Sequence, residues 1–326
     1  MLNRPLLASA IILLATSLPL LAAPKATEKD DHPVYTDPAS AGPDFEIQGE
    51  YAGDPGTKYG ADVVALGDGQ FQVVLLPGGL PGDGYDGKGR TELKAMRDGD
   101  AIRVQPAEGF SGAIANKTLT LQTPEGALEL KRVERQSPDA GGPPPDNAVI
   151  LFDGTNTEHW KDGKIDPRHL LEQGAETKTK YQNFTMHLEF MLPFKPFARD
   201  QERGNSGIYI QRRYEVQVLD TFGHPAEFNG CGSMYRQHAP IVNACYPPLE
   251  WQTYDIDFQA AQFDASGKKT HNGVITVKQN GIVVQDHYEL TNKTGAGSKE
   301  GPEPGPIWLQ EHHNPVFYRN IWIVTK

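Results

Sequence analysis

The sequence predicts an all-β protein in two parts, a small β domain followed by a larger two-sheet sandwich or jelly roll. From Phe45 to the C-terminus of the 326 residues, apolar and polar side chains alternate in short runs bounded by Gly, Asp and Pro. No stretch sustains the 3.6-residue apolar period of a long helix. The runs GVITVKQ and GIVVQDH are joined at Gln279-Asn280-Gly281, and Asn-Gly suits the tight type I′ turn of a hairpin.

Residues 1–23 read as a signal peptide, with Arg4 ahead of an apolar run from Leu6 to Leu21 and small residues at Ala22 and Ala23. Ser9, Thr16, Ser17 and Pro19 interrupt the run and disfavour a membrane anchor, and no other segment approaches about twenty apolar residues. The expectation is an exported chain, periplasmic or extracellular, with no stable membrane insertion once mature. Residues 24–44, rich in Asp, Pro, Ala and Gly, read as a flexible lead-in.

Residues 45–136 hold seven alternating runs and form the small N-terminal β domain. Its Gly-rich segment PGGLPGDGYDGKGR, residues 77–90, lacks the Gly-Lys-Ser/Thr and strand-loop-helix context of a phosphate cradle and reads as a surface loop. Residues 137–147, SPDAGGPPPDN, read as an extended, semi-stiff linker. Residues 148–326 supply nine further strand-like runs. In QTYDIDFQA, Tyr254, Ile256 and Phe258 alternate with Thr253, Asp255 and Asp257, as expected for one face in the core and one outside.

The chain has 31 Lys and Arg against 42 Asp and Glu, a net charge of −11, and no basic cluster, so nucleic acid is a poor partner. Its two cysteines, Cys231 and Cys245, are expected to pair in an oxidising compartment and to fix a loop next to the strands described below.

The stretch GNSGIYIQRRYEVQVLD, residues 204–220, organises the second part. Strand alternation puts Ile208, Ile210, Val216 and Val218 on one face, with Asn205, Tyr209, Gln211, Glu215 and Gln217 on the other. Asp220 falls on the apolar parity, so a bulge after Gln217 is expected to return it to the polar face. An ordinary solvated sheet face is the plain alternative, but the convergence of Asn, Tyr, Gln, Glu and Asp favours a ligand site.

Near the C-terminus, Trp308, Gln310 and His312 share one parity in GPIWLQEHHNPVFYRNIWI, and Arg319 follows beside Tyr318 and Trp322. His312 is of the residue type that serves as a general base or acid, with adjacent His313 as competitor. Arg319 suits an oxyanion or a sugar hydroxyl. An isolated His or Arg is more often structural. Glu215, Asp220 and His312 are of the types that bind a divalent cation, although no compact ligand spacing argues for one, and no cofactor is otherwise required.

Six segments together, VILFDGTN…W, YQNFTMHLEF, GNSGIYIQRRYEVQVLD, NGCGSMY…NACYPPLEWQTYDIDF, NGIVVQD and GPIWLQEHHNPVFYRNIWI, resemble the 3-keto-disaccharide hydrolase domain family across residues 148–326. The resemblance implies a concanavalin A-like jelly roll in an exported bacterial protein and cleavage of glycosides oxidised at the sugar 3-hydroxyl. It places the family's polar strand motif on Asn205, Ser206, Tyr209, Glu215, Gln217 and Asp220, and its closing motif on Gln310, His312, Arg319 and Asn320. The usual Gly-Asp-Phe before the second strand reads Gln182-Asn183-Phe184, and the stretch after Trp160 is short, so the rim there is expected to differ.

A carbonyl at C3 acidifies the C2 hydrogen, so cleavage can run by proton abstraction, elimination and hydration. The expected roles are His312 as base, Arg319 or a cation as enolate stabiliser, and Glu215 or Asp220 as acid, with Asn205, Tyr209, Gln217, Trp308 and Gln310 binding an oxidised carbohydrate. Two rivals stand beside this. A retaining glucanase would mount two carboxylates on a Glu-x-Asp-x-x-Glu strand, which here reads Glu215-x-Gln217-x-x-Asp220. A non-catalytic carbohydrate-binding module would use the same aromatics for stacking.

Overall fold

The computed structural model describes residues 32–326 apart from 55, 56 and 58. The expected signal peptide, residues 1–23, lies outside the described residues. Among the described residues no helix is long and apolar enough to cross a membrane.

The first part is a closed barrel of eight antiparallel strands, from Gly49–Ala52 to Gly126–Val133, each end strand pairing with the other. Alternation builds it: Ala61, Val63 and Ala65 face inward with Phe71, Val73 and Leu75 of the next strand. Closure removes exposed sheet edges, which an open sheet of this size would have to protect. The barrel core also takes in two side chains from the second part, Phe194 and Leu249.

The second part is the sandwich, a concanavalin A-like jelly roll. One sheet has seven strands and is centred on Phe184–Met191, Trp251–Gln259 and Phe317–Thr325. The other has five, in the order Trp160–Lys161, Glu176–Thr177, Trp308–Leu309, Asn205–Ile210 and Tyr214–Leu219. Between them lies one apolar layer that includes Met186, Leu188, Phe190, Ile208, Val216, Val218, Tyr254, Ile256 and Ile321. The apolar parity read from residues 204–220 is therefore the core face. The Asn280-Gly281 turn joins strands Gly273–Gln279 and Ile282–Leu290, with φ of 52° and 78° at its two residues.

Two core tyrosines tie the sheets together by hydrogen bonds. Tyr318 Oη donates to Ser206 Oγ at 2.7 Å, and Ser206 Oγ donates onward to the carbonyl of Gln310 at 2.6 Å. Tyr254 Oη donates to the carbonyl of Gln217 at 2.7 Å. The strands of the five-stranded sheet are thus pinned from below, through groups that would otherwise be buried without partners.

Both segments expected to be loose are packed. Tyr35 forms a two-way backbone bridge with Phe194 and stacks on its ring, and Pro38–Ser40 and Pro43–Ile47 form short helices, so residues 33–44 are not a free lead-in. The Pro- and Gly-rich segment lies on the seven-stranded sheet: Ser137 Oγ meets Thr253 Oγ1 at 2.6 Å, and the Gly141 N–H donates to Glu189 at 2.6 Å. Composition argued for a spacer, but buried acceptors on the sheet capture its backbone. Barrel and sandwich belong to one compact unit, Pro33–Lys326.

Candidate active site

On the outward face of the five-stranded sheet, antiparallel register lines up one row of side chains across four strands: Glu176 opposite Trp308, Trp308 opposite Tyr209, and Tyr209 opposite Glu215. Directly opposed residues share a face, so all four project to the same side. The next row runs from Gln310, whose N–H donates to the carbonyl of Gly207, through Gly207 to Gln217. Asn205 lies one step further along its strand. The structure therefore brings together Asn205, Tyr209, Glu215, Gln217, Trp308 and Gln310, six of the residues expected to share a face.

Glu215 sits at the deep end of the row and is 2% exposed. Tyr209 Oη donates to its Oε2 at 2.7 Å, and the Glu215 N–H donates to Thr294 Oγ1 at 3.0 Å. Burial raises the carboxyl, the Tyr209 hydrogen bond holds it down only partly, and the balance is a pKa of about 7 against an ordinary 4.5. Burial also keeps the Tyr209 phenol protonated, reinforced by Glu215 beside it.

Gly207 provides the space above this pair. A Cβ there would lie 2.5 Å from Glu215 Oε1 and 3.1 Å from Gln310 Oε1, so both oxygens lean over a bare backbone position. Gln310 Oε1 and Asn205 Oδ1 are buried without hydrogen-bond partners, which leaves two acceptors on this face open to a ligand's hydroxyls. Gln217 instead spends its amide locally, with Nε2 at 3.3 Å from Gln201 Oε1.

Several expectations are corrected. Asp220 does not return to the polar face: the register from Asn205–Leu219 to Ile210–Tyr214 runs without a bulge, and Asp220 follows the last paired residue. Its carboxylate is buried against Arg203, with Nε and Nη2 both 2.9 Å from Oδ2. A buried guanidinium supplies what the expected bulge would have supplied.

Arg319 is not in this constellation, because it lies on the outward face of the opposite sheet. Its Nε donates to Glu189 Oε2 at 2.7 Å, and its guanidinium rests 3.9 Å from the centre of the Trp251 ring. A bulge opposite His187–Glu189, with Asn320 at φ 45°, turns Arg319 and Asn320 toward the same carboxylate. Tyr209 is buried, and Trp308 is covered by Arg212 at 3.5 Å from the ring centre, so neither offers a free stacking platform. His312 is exposed just past strand Trp308–Leu309, and its carbonyl accepts from Asn314 Nδ2.

The expected bridge between Cys231 and Cys245 is not formed, and both are buried free thiols. Cys231 Sγ lies 3.2 Å from Tyr254 Oη and 3.3 Å from Gln279 Nε2, and Cys245 Sγ donates to the Tyr246 carbonyl at 3.4 Å. Local hydrogen bonds satisfy both sulfurs. Among the described residues no group of three or more His, Cys, Asp and Glu is arranged to hold a metal ion, and the turning away of Asp220 dissolves the ligand set considered above.

Arg212 and Gly207 were not singled out from sequence. Arg212 occupies a hairpin turn in which Gln211 and Arg212 have φ of 52° and 60°, a conformation unfavourable for non-glycine residues. The turn aims its side chain over Trp308, with Nε 3.3 Å from Glu176 Oε2 and Nη1 buried without a partner. Two adjacent arginines after a strand gave no signal of that turn.

Residues 147–324 match the family model described as a 3-keto-alpha-glucoside-1,2-lyase-like domain, and the chain belongs to that family. It is similar to a Parabacteroides distasonis protein solved as a candidate glycosyl hydrolase, with 34% identity and a TM-score of 0.51, covering 56% of this chain and 85% of that one. Two further candidate glycosyl hydrolases from the same organism match at 18% and 19% identity, with TM-scores of 0.40 and 0.39; each alignment covers 56% of this chain, and 94% and 100% of theirs respectively. No curated protein matches. The protein is a glycoside-acting enzyme of the hydrolase or lyase type, with a carbohydrate substrate.

Proposed function

We propose that the enzyme cleaves glycosides already oxidised to the ketone at sugar C3, by removing the C2 proton, and that Glu215 is the group that exchanges protons with the substrate. One observation carries this reading: a buried carboxyl with pKa of about 7, held by one phenol over a bare glycine, on a face whose other polar atoms have acceptors to spare. A group that titrates near neutrality is matched to proton transfer in both directions.

In the proposed route a base takes the proton from C2 and the C3 carbonyl receives the electron pair as an enolate. The enolate collapses, C1=C2 forms, and the glycosidic oxygen leaves C1 with a proton from Glu215. Water then adds across C1=C2, hydroxyl to C1 and proton to C2, so the sum is hydrolysis. His312, next on the strand parity of Trp308 and Gln310, remains the proposed base. Arg212, the guanidinium on this face, takes the oxyanion role first given to Arg319.

The missing second carboxylate weakens the retaining alternative. Gln217 replaces one acid, Asp220 is bound to Arg203, and Glu176 stands three strands from Glu215 in the row. At roughly 4.8 Å per strand, three steps put the two about 14 Å apart. Paired glycosidase carboxylates sit ~5–9.5 Å apart.

Turnover of a 3-keto-glucoside in D₂O tests the proposal. Enzyme-dependent deuterium at C2 of the released keto-sugar is expected, after correction for spontaneous exchange. Product free of it, or cleavage of only the unoxidised glycoside, overturns the route. We also propose that the enzyme acts outside the cytoplasm, on the pattern of residues 1–23. Mass spectrometry of the protein from its native cell is expected to find an N-terminus in the low to middle twenties, and recovery of intact Met1 would refute export.

A further inference from the structure

A second polar cavity lies on the other side of the sandwich, where the barrel meets the seven-stranded sheet. It has a volume of about 420 Å³, within the ~300–1,000 Å³ range of small-molecule sites. The barrel contributes Arg132 to its wall, the segment after it Arg135 and Gly141, and the sandwich Glu250, Trp251 and Arg319.

Charge limits what this cavity can take. Each guanidinium already has a carboxylate: Arg132 Nη1 with Glu134 at 2.5 Å, Arg135 Nε with Glu50 at 2.7 Å, and Arg319 Nε with Glu189 at 2.7 Å. No positive charge is left over for an anion. Glu250 Oε2, by contrast, is buried without a partner. Beside it stands the half-buried indole of Trp251, with Arg319 on its face. Paired guanidiniums and carboxylates, with one unsatisfied acid, match the donors and acceptors of a neutral polyol, and Trp251, its ring covered by Arg319, adds apolar wall to the cavity and not a stacking platform.

We propose that this junction is a second carbohydrate-binding site, for a neutral pyranoside, assembled jointly by barrel and sandwich. It rests on the glycoside-acting class of the family and not on the keto-sugar route. It also assigns the barrel a task, since closure of this site requires both parts. Burial, with Glu50 and Glu134 nearby, raises Glu250 to about 8, so that its carboxyl is a neutral hydrogen-bonding group at pH 7.

The test uses the full chain carrying Glu215→Gln, so that turnover cannot intrude, and methyl α-D-glucopyranoside as probe, by calorimetry and by a crystal soak. Density in the cavity is expected, together with a calorimetric component that falls at least tenfold in affinity with Trp251→Ala added. Because Trp251→Ala removes packing, Ala140→Phe, which narrows the cavity without deleting a partner, is made in parallel and should weaken the same component. In the otherwise unaltered enzyme, Trp251→Ala should leave kcat/KM on a small 3-keto-glucoside unchanged. An empty cavity in the soaked crystal overturns the proposal. So does an affinity indifferent to both substitutions, or tighter binding of D-glucuronate than of the methyl glucoside at this site.

Discussion

Glu189 and Glu215 are the same residue type, both buried, on the outward faces of the two sheets of one sandwich, yet they titrate in opposite directions. Burial works against ionisation of both. At Glu189 it is overcome by the His187 ring 3.9 Å away and by hydrogen bonds from the Gly141 N–H, Asn320 and Arg319, which bring the pKa to about 2. At Glu215 only Tyr209 opposes it, and the pKa stays at about 7. The number of donors, not the depth, decides whether a buried carboxylate becomes a strut or a proton-exchanging group. Glu189 holds the seven-stranded sheet, the linker segment and Arg319 together, whereas Glu215, with Tyr209 as its one side-chain donor, is left with the raised pKa that the proposed proton transfer would use.

The largest expected difference is in turnover. Glu215→Gln should lower kcat by about 10²–10⁴-fold, the usual worth of a positioned acid or base, while the protein stays folded. The loss should be greater with a poor leaving group than with an activated aryl group. Equal loss for both would remove the acid role. Arg319→Ala, at the residue first expected to stabilise the enolate, should instead leave the folded enzyme active on small substrates and lower its melting temperature.

Glu189→Leu should invert that pattern. It leaves Arg319 without its carboxylate, while His187 keeps Asp255 at 2.7 Å. Breaking a fully buried pair costs roughly 3–5 kcal/mol, and with the Arg319 side chain 39% exposed the loss should fall below that, read as a shift of the denaturation midpoint. Unchanged stability would place the burden of the interface elsewhere.

The pH dependences should separate the two faces as well. Glu189, depressed to about 2, stabilises the fold fully above 4.5 and ceases to do so as pH falls through 2. Burial lowers His187, but Asp255 and Glu189 raise it to about 9, so its contribution is complete below 6.5 and is lost as pH rises through 9. Both contributions are therefore complete between about pH 4.5 and 6.5, and stability measured by denaturant titration should decline to either side of that window. Activity should instead fall above about 7, as Glu215 loses the proton the leaving group needs. A limb that falls below 7 would make Glu215 the base.

The smallest effect is the most specific. The Tyr209 hydrogen bond lowers the Glu215 pKa, so Tyr209→Phe should move the activity limb to higher pH with modest change in the plateau. An unmoved limb would mean that another group sets it.

The alternation of residues 204–220 settled which side chains share a face, because a strand's period of two is local and needs no partner. It carried Tyr209, Glu215 and Gln217 to one side and Ile208, Val216 and Val218 to the other. The outward position of Asp255 was legible in the same way. What local periodicity cannot express is register and the identity of the neighbour across it. Only the folded sheets decided that Asp220 meets Arg203, that a bulge at Asn320 sends Arg319 to Glu189 and away from Glu215, and that the cysteines lie side by side as free thiols, hydrogen-bonded to each other and to the groups around them. Those outcomes depend on strands dozens of residues apart in the chain. The pKa values follow the same division, since the sequence places the carboxylates and the tertiary structure counts their donors.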